Sequence, residues 1–173
     1  MSIYEPEAVE SQGATKIKLL SAVVDAAAAS LATEVNAASS VEATLVFNTW
    51  NPTRTPNTGT APRRVGTRDQ FPREGNMQYQ PIAITYPDDP QADTGDPNVK
   101  AKDLLTEGTV KYVLVRKGID VDTAFAADQK YELWKVRCGA QIETQSGEDE
   151  FAEYQIQQNL YPLQKVAKGV IAA

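Results

Sequence analysis

The chain reads as a mainly β protein: a sandwich or barrel-like sheet with one short packed helix, a long extended loop and two terminal arms. Three observations predict this. Residues 151–161 alternate, with Ala152, Tyr154, Ile156, Gln158 and Leu160 on a mostly apolar face and Glu153, Gln155, Gln157 and Asn159 on a wet one. The same period of two recurs in residues 16–19, 41–48, 77–86 and 131–138, and 109–116 form a continuous apolar run. Helical signals are confined to two short stretches.

At 173 residues the chain is long enough for a single domain with a real core. Its 42% hydrophobic and 23% charged residues are globular proportions. A net charge of −6 makes it a poor general binder of nucleic acid, whose phosphates require Lys and Arg. Cys138 is the only cysteine and lies in a predicted strand, so it is expected to be a buried, inert thiol. The N-terminus lacks the basic and apolar regions of a signal peptide, and residues 21–38 are too polar to span a bilayer. The product is therefore expected in the cytosol until it is assembled into something.

Taken in order, residues 1–14 are polar, carry Pro6 and three glutamates, and read as an N-terminal arm. Residues 16–19 form a first strand. Residues 21–40 are alanine-rich, and local propensity predicts about two helical turns over 28–37. Val41, Ala43, Leu45 and Phe47 alternate with polar residues, a second strand. Residues 49–76 differ in kind. They hold four prolines and three glycines, together with Arg54, Arg63, Arg64, Arg68 and Arg73, and with Trp50 and Phe71 near the ends. Residues 49–61 read as loop, and 64–70 as a possible extension.

Residues 77–86 read as one strand and 88–98 as a loop of Asp, Pro and Gly. Residues 99–107 read as a helix ended by Gly108. Residues 109–116 are apolar on both faces, which predicts a central strand. Residues 119–129 connect it to a strand over 131–138 with Trp134, Val136 and Cys138 on one side. Gly139 reads as a turn, 140–144 as a short strand and 147–150 as an acidic turn. Pro162 is expected to end the last strand, leaving 162–173 as a C-terminal arm.

Enzymatic chemistry finds little footing. The loop 88–96 lacks the glycine a calcium loop needs at position six and has Lys100 where a bidentate Glu belongs. Glu148, Asp149, Glu150 and Glu153 cluster, but mostly in a turn and without sign of a pocket. Without histidine there is no zinc triad and no Ser-His pair, and no glycine-rich phosphate loop is present. No cofactor is predicted. The arginine-rich loop has two readings. It could bind single-stranded nucleic acid between aromatic residues. It could instead meet acidic patches on a neighbouring copy, and the acidic remainder of the chain favours this.

The order of features resembles the major tail tube proteins of long-tailed bacteriophages, especially those with non-contractile, siphovirus-type tails. Residues 31–38 followed by the strand from Val41 are similar to the family's short turn before its first long strand. Residues 108–118 are similar to its central strand. The run 122–130, followed by Trp134-Lys135-Val136-Arg137-Cys138-Gly139, is the most specific piece, and Val166-Ala167-Lys168-Gly169-Val170 closes the match. The long loop departs from the family in being larger and richer in Arg and Pro.

The resemblance implies a structural virion protein and no enzyme. Six copies would form a ring, and stacked rings would form a conduit for double-stranded DNA, which passes without specific binding. The protein would be made in the host cytoplasm and would reside in the phage tail. The implied partners are further copies, a tape measure protein, a tail terminator and distal tail proteins, with no membrane binding by this chain. Trp50, Arg54, Arg63, Arg64, Arg68, Phe71 and Arg73 become candidates for contacts between rings or subunits. Two sets of residues suit a hydrated lumen: Glu153, Gln155, Gln157 and Asn159, or Glu42 and Thr44 with Thr67 and Asp69. An exposed outer face fits either set equally well. The rival readings are a nucleic-acid-binding β domain using the arginine loop, or a related virion ring such as a tail terminator, a baseplate hub or the inner tube of a contractile machine.

Overall fold

Period-two patterning builds an antiparallel sheet that curls into a half-barrel. The computed structural model describes residues 13–44, 46–60, 72–96, 99–147 and 152–173. Its strands are β1 (Thr15–Leu20), β2 (Val41–Glu42), β3 (Arg54–Thr60), β4 (Pro72–Tyr79), β5 (Ile82–Pro87), β6 (Val110–Lys117), β7 (Lys130–Gln145) and β8 (Tyr154–Val170), with a short helix α1 (Lys100–Leu104) between β5 and β6. Six strands form one sheet in the order β2-β1-β6-β7-β8-β5, and β3 and β4 form a separate hairpin.

Alternate residues of five strands fill the inside of the curl. Ile17 and Leu19 of β1, Val113 and Val115 of β6, Trp134, Val136 and Cys138 of β7, Ile156 and Leu160 of β8, and Ile82, Ile84 and Tyr86 of β5 meet Phe47, Ala101 and Leu105. Each large side chain buried in this way contributes about 1.5–3 kcal/mol. A second cluster covers the other side of the sheet, where Leu20, Leu114, Tyr131 and Leu133 meet Ala29, Val35, Phe125 and Ile171. This is why β6 is buried on both faces, as its sequence predicts.

Several elements depart from expectation for identifiable reasons. The alternating run 41–48 forms strand only at Val41–Glu42. A turn follows, in which Phe47 N–H bonds Ala43 O, and it swings Phe47 into the core. The segment then acts as a strap. Ala43 N–H bonds Ile17 O at one sheet edge, and Asn48 N–H bonds Thr85 O at the other. The predicted helix over 28–37 shrinks to a single π-helical turn, Leu31–Val35. Backbone groups of Ala27 and Ala29 are taken instead by Val170 and Ala172, so tertiary pairing overrides alanine propensity.

The loop predicted over 49–61 contains β3, which pairs with β4 and places Pro56 beside a register shift, where a strand tolerates proline. The run 77–86 is two strands, divided at Gln80-Pro81 where the chain leaves the hairpin for the sheet. The helix expected over 99–107 is confined to Lys100–Leu104. Gly139 is no turn. It lies in the register shift between Cys138 and Gln141 of a continuous β7, and a Cβ there would sit 2.7 Å from Asn159 O. Pro162 does not end β8. It pairs with Val136 beside another shift, which accommodates its missing N–H, and the strand runs on to Val170. Residues beyond 162 therefore dock as sheet, and Ile171 is buried. The N-terminal arm up to residue 12 and the acidic turn at 148–150 lie outside the described residues.

Candidate assembly surfaces

β8 divides its side chains between two environments. Ile156, Gln158 and Leu160 point into the core, while Gln157 and Asn159 are exposed and Gln155 is half-buried. Cross-strand pairing sets Gln157 beside Ile142 and Thr85, Gln155 beside Thr144, Asn159 beside Ala83, and Tyr161 beside Arg137. The result is a sheet surface of amides, hydroxyls and small residues that also exposes Ile142, and it is edged by Tyr161 and Arg137. Glu153 precedes the strand, and its backbone is tied to Ser146.

The inward amide does different work. Gln158 is 1% exposed. Its Nε2 donates to Leu105 O and Gly139 O, both at 2.8 Å, and its Oε1 accepts from Tyr86 Oη at 3.1 Å. Gln141 Nε2 donates to the same hydroxyl at 3.1 Å and to Lys102 O at 2.9 Å. These amides satisfy carbonyls freed by the bulge and by the end of α1. Burial pushes the Tyr86 phenol well above its ordinary range, so it stays protonated and able to donate. The Cys138 thiol is likewise pushed up by burial and behaves as a small apolar filler.

The second lumen set is otherwise engaged. Thr44 Oγ1 accepts Ile17 N–H at 2.9 Å and also meets Glu42, whose carboxylate lies 4.0 Å from Lys16 Nζ. Both residues cap the open edge of β1 rather than line a broad face. Thr67 and Asp69 lie outside the described residues, as do Arg63, Arg64, Arg68 and Phe71. Arg54 and Arg73 are exposed on β3 and β4. Trp50 turns inward, with its ring centroid 6.4 Å from Phe47 and 6.2 Å from Trp134.

A cleft of about 540 Å³ opens beside the β7–β8 turn, lined by Asp88, Asp89, Glu143, Tyr154 and neighbouring amides. Lys102 Nζ meets both Asp88 oxygens at 3.0 Å, so that carboxylate is already neutralised. Among the described residues no group of three or more His, Cys, Asp or Glu could hold a metal ion. Within the same residues no helix is long and apolar enough to cross a membrane.

A family model described as phage tail tube protein matches residues 4–173. The chain belongs to the phage tail tube protein family. No curated protein sequence matches it. Membership makes it a structural component of the virion tail, in a family whose role is not enzymatic.

One feature of this tail tube subunit had no clear signal in the sequence. Arg116 is 0% exposed, in a strand that otherwise reads as apolar. Its guanidinium donates to Ala124 O, Asp120 O and Thr123 O and to Gln129 Oε1, at 2.7–3.1 Å, and lies 4.9 Å from the Phe125 centroid. It fixes the whole connection between β6 and β7. Burial lowers its pKa, yet a guanidinium remains charged at neutral pH. The alternating sign of Arg116 against Asp120 and Asp122 was the only hint available.

Proposed function

We propose that six copies of this chain close into a ring, and that stacked rings form a non-contractile tail tube through which double-stranded DNA leaves the capsid. Family membership over residues 4–173 supports a tube subunit. The observation that carries the rest is the row Gln155, Gln157 and Asn159, whose side chains lie on the face of β8 turned away from Ile156, Gln158 and Leu160, with Gln157 and Asn159 exposed and Gln155 half-buried. We assign that row, with Glu153 at its end, to the lumen. Uncharged amides hydrate the wall without displacing counterions from DNA, so the genome slides rather than sticks. Glu42 and Thr44 are occupied at a sheet edge and fit the lumen less well.

In this reading Arg54 and Arg73 on the β3–β4 hairpin, with Arg63, Arg64, Arg68 and Phe71 of the sequence it connects, reach acidic surfaces of a neighbouring ring. Trp50 supports the base of the hairpin from the core. The subunit is made in the host cytoplasm and is joined in the tail by tape measure, terminator and distal tail proteins.

Negative-stain microscopy of the concentrated purified protein tests the proposal beside a gel-shift assay with duplex and single-stranded DNA. Hollow tubes of stacked rings without DNA retardation are expected. A protein that stays monomeric at every concentration and binds DNA tightly overturns it.

A further inference from the structure

We propose that the end of the sheet where β6 stops and β7 starts carries a binding site for hydrogen phosphate, formed by Lys117, Lys130, Glu132, Lys165 and Lys168. The site does not depend on the ring reading and is tested on the single subunit.

The strand register builds it. Val115 of β6 lies beside Glu132 of β7, so the two share the face of the sheet on which Val115 joins the core. Lys117, two residues beyond Val115, lies on that face as well. On the other side of β7, Gly169 of β8 pairs with Tyr131. A Cβ at Gly169 would sit 2.3 Å from the Tyr131 ring, so glycine is what lets β8 approach this closely. Tyr131 is itself fixed, because its hydroxyl donates to Ala26 O at 3.0 Å and accepts Ala29 N–H at 2.9 Å. The close approach brings Lys168 to a pocket of about 260 Å³ that it lines with Val115, Lys117, Lys130, Tyr131 and Glu132.

Charge in this pocket is unbalanced. Lys117 Nζ and Lys165 Nζ approach the same oxygen, Glu132 Oε2, at 3.3 and 3.5 Å. Lys130 and Lys168 are exposed, and among the described residues neither makes an ion pair. Four lysines thus gather around one glutamate, in a chain whose 23 acidic residues outnumber its 17 basic ones. Lys16 and Lys102, by contrast, each have a carboxylate within reach. Like charges collected at the edge of an apolar core repel one another, and a bound anion relieves the repulsion.

A second, independent observation selects the anion. Glu132 Oε2 is buried and has no hydrogen-bond partner among the described residues, since its two lysines meet it as ion pairs only. An ionised carboxylate can only accept. Phosphate near neutral pH keeps at least one hydroxyl, which can donate to that oxygen while the other phosphate oxygens accept from the ammonium groups. Sulfate has no hydroxyl at that pH, and a phosphodiester has neither the hydroxyl nor the second charge. Lys117 is 54% exposed, so its flexible stem can swing to admit the ion. The pocket is smaller than the roughly 300–1,000 Å³ of organic-ligand sites, which suits a small ion. The DNA backbone, a phosphodiester, finds no preferred partner here. Bound phosphate would tie the ends of β6, β7 and β8 together and stabilise the subunit.

Isothermal titration calorimetry of the wild-type subunit at neutral pH and constant ionic strength tests the assignment, with inorganic phosphate, sulfate and dimethyl phosphate as titrants. Phosphate is expected to bind at one site, and the other two at least about tenfold more weakly, the size of one lost hydrogen bond to a charged group. Absence of phosphate binding, or equal binding of either competitor, overturns the proposal.

A double variant, Lys130→Gln with Lys168→Gln, gives the second readout. Both side chains are exposed, so the urea midpoint should stay at the wild-type value while phosphate affinity falls about tenfold or more. Lys100→Gln, at an exposed position of α1, should leave affinity unchanged. In the wild-type chain, amide NMR shifts on phosphate addition should centre on residues 117, 130–132 and 168, a readout that needs no substitution. Unchanged affinity in the double variant, or shifts centred elsewhere, overturn the site.

Discussion

Replacing Gln158 by leucine isolates what a buried amide contributes to a core that is otherwise apolar. The substitution keeps the volume and removes three polar contacts: to Leu105 O, to Gly139 O and from Tyr86 Oη. Two of those groups retain a partner, because Gln141 Nε2 also bonds Leu105 O at 3.3 Å and Tyr86 Oη at 3.1 Å. Gly139 O is left unpaired inside the bulge, which costs about 1–3 kcal/mol. Weakening the other two contacts adds about 1 kcal/mol, partly offset by the extra apolar burial. The expected loss is about 2–3 kcal/mol. Urea unfolding followed by the fluorescence of Trp50 and Trp134 should show the midpoint falling by about 1 M or more, at a slope near 2 kcal/mol/M. Gln157→Leu, one residue along on the exposed face, should change stability by less than about 0.5 kcal/mol. Equal effects of the two substitutions would refute the division of β8 into an inward and an outward face.

Four other outcomes follow from the same geometry. Gly139→Ala should destabilise the subunit by about 1–3 kcal/mol in the same assay, because its Cβ meets Asn159 O at 2.7 Å; a neutral effect would mean the bulge is not held closed. Arg116→Lys should accelerate hydrogen exchange in residues 119–129 while sparing β8, since a single ammonium cannot reach the four acceptors a guanidinium spans. Burial raises the pKa values of Tyr86, Tyr131 and Cys138, so the folded chain keeps protons the unfolded chain has lost; stability should be intact below the unfolded values of about 8.5–10, and the urea midpoint should fall as pH rises through them, a flat profile into that range counting against the burial argument. Deleting residues 52–59, which removes most of β3, should leave a folded subunit that makes no tubes, and high salt should shorten wild-type tubes; normal tubes in either case would remove the arginine hairpin from the contacts between rings.

The strands easiest to read in the sequence were those whose pattern is enforced from both sides. β6 shows an unbroken apolar run because clusters lie on both its faces, and Trp134, Val136 and Cys138 alternate because β7 has one core face there. The candidate amide row was legible for the same reason: a period of two survives only where one face is packed. What escaped reading depended on distant partners. Ala27 and Ala29 favour helix locally, but the C-terminal strand claims their backbone. The run 41–48 alternates like a strand and yet serves as a strap, because its bonding partners lie on two different sheet edges. β3 was hidden by Pro52 and Pro56, since a proline reads as loop until its partner strand shows a shift that tolerates it. The positions of Arg63, Arg64, Thr67, Arg68, Asp69 and Phe71 lie outside the described residues.

Gly139 and Pro162 both read as strand ends in the sequence, and both are strand continuations. A residue that interrupts a ladder need not end it if the partner strand slips by one position. Gly139 permits the close approach of Asn159 O, and Pro162 sits where the register moves past Leu163. Together these shifts let β7 and β8 run 16 and 17 residues, further than β6 or β5 can follow. Had either residue ended its strand, the ribbon would have stopped level with its neighbours. The buried Gln158 belongs to the same device, because it satisfies the carbonyl that the bulge at Gly139 turns inward. Polar atoms in the core thus hold the extension of the ribbon.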